Sequence, residues 1–457
     1  MPLCALILLR QDWKQVVVGL ILSCALFGQV KLRYNFPTLP EEGVQGVARF
    51  SIDAVSIQAS PFSKSYLYRG SITQLGKIHQ NIPAAFYIPI SKKRPPANTS
   101  LEIEGTLLDK GDGRYVLKPK KITPIPGTFS LAEHRFLLKQ KFTAFFKQRI
   151  PKMGAASFLL SMLTGDIDDR KLSLEFSRIG LIHLLGVSGF QFILLASLLG
   201  FALRCFLSLE RASICLLIFL TAYFFLLGPS PPVFRAWIAS ALFLIGSLFN
   251  YRSSPLNALG VALMCELMIS PLNLLNIGFQ LTYLCTAAIL LVYPLIRNYL
   301  NLLLPKRSFA AVLEMSTVNQ YGYIAASLIR ETLALNLAVH LISLPALLLL
   351  FGKFPLLSLI YNLFYPFGAT IAFILSVIGV FLSFIPPLGN FVLWMAGNLS
   401  EALLAWASFP PPLLDYKLQA PFMSLELCVL LLTLPAAVLW KNRQEPTLFD
   451  KALLDAR

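Results

Sequence analysis

The sequence predicts a polytopic α-helical membrane protein of about ten spanning helices with a small OB-like β-domain inserted after the first, and three observations carry that prediction. Hydrophobic residues make up 56% of the 457-residue chain and charged residues only 14%, which excludes an ordinary soluble globular protein. From about residue 179 onward, apolar runs of roughly 16 to 25 residues recur, each long enough to cross a ~30 Å hydrocarbon core as a helix. Between residues 41 and 121 the pattern changes to short alternating runs broken by Gly, Pro and Ser, as strands and turns require. A transmembrane β-barrel would carry alternation throughout.

Taken in order, Arg10 and Lys14 precede the apolar run Gln15 to Val30, and residues 1–31 are read as a membrane anchor. A cleaved signal peptide is the competing reading, but the bulky, basic stretch Lys31 to Pro40 offers no small-x-small cleavage site. In the β-domain, 41–121, strands are expected at 44–58, 65–75, 84–90, 101–108 and 114–120. Leu101, Ile103 and Leu107 alternate there with Glu102, Glu104 and Thr106, and Asp112-Gly113 reads as a hairpin turn. Pro124, Pro126 and Gly127 mark a linker. Residues 128–150 then read as an amphipathic helix with Leu131, Leu138, Phe142 and Phe145 on one face and Lys139, Lys141, Lys147 and Arg149 opposite. Such a helix either lies in the membrane interface, with its cations at lipid phosphates, or packs on the β-domain.

Further spans are expected at 181–203, 212–228, 233–249, 255–270, 277–296, 331–351, 358–384, 387–409 and 421–440, followed by a tail at 441–457. With Arg10 and Lys14 inside, alternation also places Arg204, Arg211, Arg252, Arg297, Lys306, Arg307, Lys441 and Arg443 inside, leaving only Lys353 and Lys417 in short outer loops. The positive-inside rule thus puts both termini in the cytoplasm and the β-domain on the outer face. The chain carries a net charge of +16, and residues 31–150 hold 19 Lys and Arg against 8 Asp and Glu. A basic outer domain suits a polyanion. The seven cysteines lie in or beside apolar segments, with no CxxC motif, and read as small hydrophobes.

The stretch 178–199 stands out because an apolar run carries His183, Ser188 and Gln191, with Gly186 and Gly189 between them. Polar groups and glycines inside a membrane segment line a path or allow close helix approach. Topology brings His183, Gln191, Arg235 and Gln280 to the outer half of the membrane domain, where an entry funnel for an anion needs donors and positive charge. Each has a plainer reading: His183 as a group satisfied by a neighbouring helix, Arg235 as a cation snorkelling to lipid phosphate, and the glycines and Ser188 as parts of a helix break. Asp166, Asp168 and Asp169 beside Arg170 and Lys171 read as solvated acids rather than a metal site. Glu266 and His340 sit in spans with nothing to tie them together, and packing is the reading given them. No Walker A motif, glycine-rich nucleotide fingerprint or hydrolase triad order is present, so no catalytic residue, cofactor or metal is assigned.

His183-Leu184-Leu185-Gly186-Val187-Ser188-Gly189 resembles the His-Leu-Leu-Ala-hydrophobic-Ser-Gly signature of the ComEC family, the inner-membrane DNA-uptake channels of natural transformation. Other pieces follow in the family order: Leu163-Thr164-Gly165-Asp166, Arg235-Ala236, Pro271 before Gly278-Phe279-Gln280-Leu281-Thr282, and Phe351-Gly352 before Asn362-Leu363. The resemblance makes 151–410 a competence-type channel domain and implies transport of single-stranded DNA across the inner membrane, with His183, Ser188, Gly189, Gln191, Arg235 and Gln280 on its path. The family motif commonly continues Ser-Gly-Leu-His, where this chain has Ser188-Gly189-Phe190-Gln191. Many members also carry a metallo-β-lactamase-like nuclease domain, whereas His79, His134, His183 and His340 form no His-x-His-x-Asp-His cluster. The implied partners are single-stranded DNA, membrane lipids, an outer DNA receptor, a separate nuclease and a cytoplasmic helicase-like ATPase. In the outer domain, Arg69, Lys92, Lys93, Arg94, Arg114 and Lys118 are candidate phosphate contacts. Tyr66 and Tyr68, with Phe86, Tyr87 and Tyr115, are candidate stacking platforms or else barrel core. The competing functions are transport or scaffolding of another polyanion or lipid-linked precursor, and an inactive competence homologue.

Overall fold

The alternation between residues 41 and 121 folds, in the computed structural model, into five strands: β1 (Val44–Ala59), β2 (Lys64–Leu75), β3 (Ile82–Pro89), β4 (Ser100–Asp109) and β5 (Tyr115–Ile125). The structure describes Gly28 and residues 40–419, except 41, 60–63, 76–80, 92–93, 98–99, 110–114, 126–129, 250, 252–253, 304 and 411–414. The expected first and last spans, both termini, Lys92, Lys93 and Arg114 therefore lie outside the described residues. The strands close into a barrel in the order β1-β2-β3-β5-β4, with β3 and β5 parallel and the other neighbours antiparallel. Closure leaves no sheet edge unpaired, and one side of each strand fills the interior with Phe50, Ile72, Leu101, Ile103 and Leu107.

Strand parity corrects the stacking assignments. Tyr68 and Phe86 face each other across β2 and β3, fully buried, with ring centroids 4.7 Å apart. Burial pushes the Tyr68 hydroxyl up to about 12, and it donates to the Pro95 carbonyl at 2.6 Å. Tyr115 is also buried, and Tyr66 meets Phe136 edge-on at 6.0 Å. Tyr68, Phe86 and Tyr115 are barrel core, and Tyr66 is half-buried with an edge contact to Phe136. Arg69 and Tyr87 point to the opposite, outer side of the β2–β3 pair and are exposed, as is Lys118 on β5.

Helix α1 (Leu131–Arg149) joins the barrel to the membrane domain, and its charges do the joining. At its first turn Glu133 accepts from the Ala97 N–H at 2.7 Å and from both terminal nitrogens of Arg94, whose guanidinium also lies 4.3 Å over the Phe136 ring. Arg94, expected on DNA, is thus committed to a carboxylate. Ala132 and Phe136 pack on the barrel, while Phe146 enters the core of the membrane domain. Lys139 and Lys147 reach Asp166 and Asp168, each at 3.0 Å, and Arg135 donates to the Phe225 carbonyl at 2.8 Å. The two lysines are therefore not at lipid phosphates, and the two aspartates are ion-paired rather than solvated. Leu131 and Leu138 remain exposed because α1 is oriented by these pairs and by Phe136 and Phe146.

The membrane domain continues through α2 (Met153–Thr164), α3 (Arg170–Arg178), α4 (Ile182–Leu185), α5 (Gly189–Arg204), α6 (Leu209–Leu227), α7 (Pro231–Leu248) and α8 (Pro255–Ile269). After a 3-10 turn at Pro271–Leu275 come α9 (Ile277–Leu291), α10 (Tyr293–Leu303), α11 (Phe309–Leu313), α12 (Thr317–Phe351), α13 (Leu357–Phe381) and α14 (Pro386–Ser408). Short strands β6 (Lys353–Pro355) and β7 (Lys417–Gln419) pair antiparallel. Among the described residues, α6, α7, α12 and α13 are long and apolar enough to cross a membrane, and α9 with α10, bent by 41°, makes a fifth candidate. The expected span at 181–203 is instead two helices, α4 and α5, separated at Gly186–Ser188, and α8 has only 15 residues. Polar residues break the first of these segments, and Asn390, Asn398 and Glu401 dilute the apolar character of α14. Phe158 of α2, Phe176 of α3 and Tyr361, Tyr365 and Phe373 of α13 centre the main core.

Burial alone would raise the Glu133 carboxyl, but its hydrogen bonds from Arg94 and Ala97 outweigh that and hold it below its ordinary 4.5. A lowered folded value means that the contact contributes fully above pH 4.5 and is lost as pH falls through that folded value. Replacing Glu133 with Gln is expected to lower stability by about 2 kcal/mol and to flatten the acid limb of a melting-temperature profile, as a pH series on both proteins would read out.

Candidate anion site in the membrane domain

The break between α4 and α5 is built from its own sequence. Ser188 is the N-cap of α5, its hydroxyl accepting from the Phe190 N–H at 3.2 Å, and the Gln191 carbonyl oxygen takes the Ser188 N–H at 2.7 Å. The Ser188 hydroxyl also contacts Gln191 Oε1, and the Gln191 amide donates to the Leu184 carbonyl at 3.2 Å. Gln191 is 1% exposed. It therefore satisfies backbone on both sides of the gap, which water cannot reach cheaply at membrane depth. An amide can accept and donate at once, so Gln in the place of the family histidine meets this need without a titratable group. The expectation that Gln191 lines a path is corrected: it holds the break.

The first turn of α5 lies against Arg235. A Cβ added at Gly189 would stand 2.7 Å from Arg235 Nη2, so glycine there leaves the guanidinium its place. Arg235 is half-buried near the start of α7, behind Pro231 and Pro232, and its Nη1 donates to the Thr282 carbonyl of α9 at 2.7 Å. A cation near a helix N-terminus is unfavourable for that helix's dipole, so Arg235 adds its positive charge to the positive ends of α5 and α7. Broken helices with N-termini aimed into a cavity are the arrangement by which transporters hold anionic groups.

Near this lies a buried polar cluster that the sequence pattern did not reveal. Glu266 of α8, 2% exposed, accepts from the Tyr283 hydroxyl and from the Asn273 amide, each at 2.9 Å. It stands close enough to Arg235 for each to feel the other's charge. The available signal was a lone acid within an apolar helix, followed seven residues later by Asn273. Gln280 does not join this group: it is exposed and donates to the Leu274 carbonyl at 2.9 Å.

His183 of α4 is exposed. His340 Nδ1 lies 2.8 Å from the Asn336 carbonyl and Nε2 lies 3.4 Å from the Ser358 hydroxyl. Gly180, at φ 75°, turns the chain against α13 just before α4. A Cβ there would stand 2.5 Å from Ser358 Cβ. Ser188, Gly189, Gln191 and Arg235 are thus brought together, while His183 and Gln280 are exposed and stand outside this group.

The competence protein family model matches residues 163–444, more than half the chain. The chain belongs to the competence protein family. This is the ComEC grouping that the ordered motifs resemble. The competence protein is also 28% identical over 243 residues to the ComE operon protein 3 of Bacillus subtilis (strain 168). That alignment covers 51% of this chain and 28% of the relative, so the chain spans well under half the relative's length. No solved structure matches. The matched region begins at Leu163, just before Asp166, and contains the α4–α5 break, Arg235 and Glu266.

Two substitutions separate support from contact at this site. Gly180→Ala, which forces a positive φ and a clash onto a non-glycine residue, is expected to cost about 2 kcal/mol in detergent melting. Gly189→Ala meets only the far end of a flexible side chain and is expected to keep stability within about 1 kcal/mol while displacing the Arg235 guanidinium. A drop of Gly189→Ala stability matching that of Gly180→Ala would contradict this geometry.

Proposed function

We propose that this competence protein carries single-stranded DNA across the bacterial inner (cytoplasmic) membrane during natural transformation. The observation that supports this best is the pairing of the α5 N-terminus with the Arg235 guanidinium across Gly189, an arrangement suited to successive phosphate groups. A phosphate would draw on the remaining Arg235 donors, with the positive end of the α5 dipole beside it. Such contacts are non-specific by nature, as a path for any sequence needs.

On this reading the outer face of the barrel meets the strand first. Arg69, Lys118 and the neighbouring Lys120 and Lys121 supply exposed charge, and Tyr87 supplies an exposed ring on the β2–β3 face, which OB-type barrels use for oligonucleotides. Lys92, Lys93 and Arg114, by their charge alone, are taken as further phosphate contacts. Binding there is electrostatic and falls steeply with salt. The proposal keeps about ten spans, both termini in the cytoplasm and the barrel outside, by the positive-inside rule. It assigns the chain no chemical step, and supplies strand degradation, delivery and pulling by a separate nuclease, an outer DNA receptor and a cytoplasmic helicase-like ATPase.

The test is entry of labelled double-stranded DNA into cells carrying wild type, a deletion, or Arg235→Ala, with membrane levels of the protein checked in each. Loss of entry in the deletion and at least a tenfold loss (roughly, for a truncated half-buried charge) in Arg235→Ala at equal protein level are expected. Undiminished entry in the deletion would sink the DNA reading and favour another polyanion.

A further inference from the structure

Helix α12 has 35 residues and is about 52 Å long at 1.5 Å per residue, far more than a ~30 Å hydrocarbon core requires. Its sequence divides it. Thr332 to Phe351 is apolar and suffices to span, whereas Thr317 to Glu331 carries Thr317, Asn319, Gln320, Tyr321 and Tyr323. The division falls at Arg330-Glu331, and with Thr332–Phe351 as the span those two side chains would stand at the depth of lipid headgroups.

Three cations converge there on one carboxylate. Arg297 Nε of α10 lies 2.7 Å from Glu331 Oε2, Arg330 Nη2 lies 3.2 Å from Oε1, and Lys306 Nζ lies 3.8 Å from Oε1. The Tyr293 hydroxyl also donates to Oε2 at 2.7 Å. Arg330 is 4% exposed, so its charge cannot be screened by water alone. Arg307, whose backbone N–H donates to the Tyr323 hydroxyl at 2.9 Å, adds a fourth cation at the same end of α12. Both carboxylate oxygens are already taken, and the cluster keeps an excess of positive charge. Arg297 and Lys306 remain partly open to the outside. Leu335, Leu337 and Leu341 are exposed on α12 just to the spanning side of them.

We propose that this cluster is a binding site for an anionic phospholipid, whose phosphate pairs with Lys306 and Arg297 while its acyl chains lie along the exposed apolar side chains. Charge excess alone would suit any phosphate; the headgroup depth and the apolar surround select a lipid. The site lies on α10–α12, away from the α5–Arg235 pair, and stands independently of the DNA reading.

The experiment is native mass spectrometry of the full chain in detergent, titrated with dioleoylphosphatidylglycerol or dioleoylphosphatidylcholine, with no DNA present. Wild type is expected to retain the anionic lipid at least tenfold better (an order-of-magnitude expectation for several cations at an anionic surface). Lys306→Gln and Arg297→Gln should each weaken it about fivefold, and Glu331→Gln, which removes the competing carboxylate, should strengthen it. Lys306 is exposed enough for its substitution to be read even where Arg297→Gln misfolds. Equal retention of both lipids, or a preference indifferent to Lys306→Gln, overturns the proposal. So does displacement by millimolar inorganic phosphate, which makes it a free-anion site, or by a single-stranded oligonucleotide, which makes it a nucleic-acid site.

Discussion

Inside a hydrocarbon layer, a backbone amide or carbonyl without a partner costs several kcal/mol, so a helix can be interrupted only where something replaces its lost hydrogen bonds. At Gly186–Ser188 that something is Gln191, which takes the Ser188 N–H and gives its own amide to Leu184. Everything around the candidate site follows from the interruption being stable. It lets α5 begin within the protein and sets Gly189, at the positive end of the α5 dipole, against Arg235. Arg235 in turn is aimed by the Thr282 carbonyl on a third helix. A side chain buried to 1% thus shapes an electrostatic feature without belonging to its surface.

The barrel depends on a second set of constraints, centred on Glu133. One carboxylate gathers Arg94, Ala97 and, through its helix, Phe136, so that α1 caps the barrel at one end. Along the rest of α1, Lys139, Lys147 and Arg135 hold it to the membrane domain. Each partly exposed ion pair contributes little alone, about 1 kcal/mol or less. Their value lies in direction: together with Phe146 they fix one orientation of a helix that would otherwise show an equivocal apolar stripe.

What the sequence made legible was what local pattern determines. The alternation of Leu101, Ile103 and Leu107 with Glu102 and Glu104 marked a strand whose neighbours close a barrel, and the apolar runs of α6, α7, α12 and α13 marked candidate spans. The joining of Ser188, Gly189 and Gln191 to Arg235 was also foreseeable in part, because glycines beside polar residues signal a close approach. Partnerships between distant residues were not legible. Arg94 and Glu133 stand 39 residues apart, and a basic run gives no sign of which member is already neutralised. Tyr68 looked like a stacking ring because composition says nothing of strand parity. Gln280 failed for a geometric reason: two residues before Thr282 on a helix is roughly 200° of rotation, so the two positions face opposite sides.

The pairing of β6 with β7 settles how the chain is routed. Lys353–Pro355 follows α12 and Lys417–Gln419 follows α14, so the pairing returns the chain to the turn it left before α13. The excursion through α13 and α14 closes on itself, and the Arg178 to Asp415 ion pair ties the closure to α3. Gln419 is consequently held at a defined address beside the α12–α13 turn, set by backbone pairing rather than by side-chain packing.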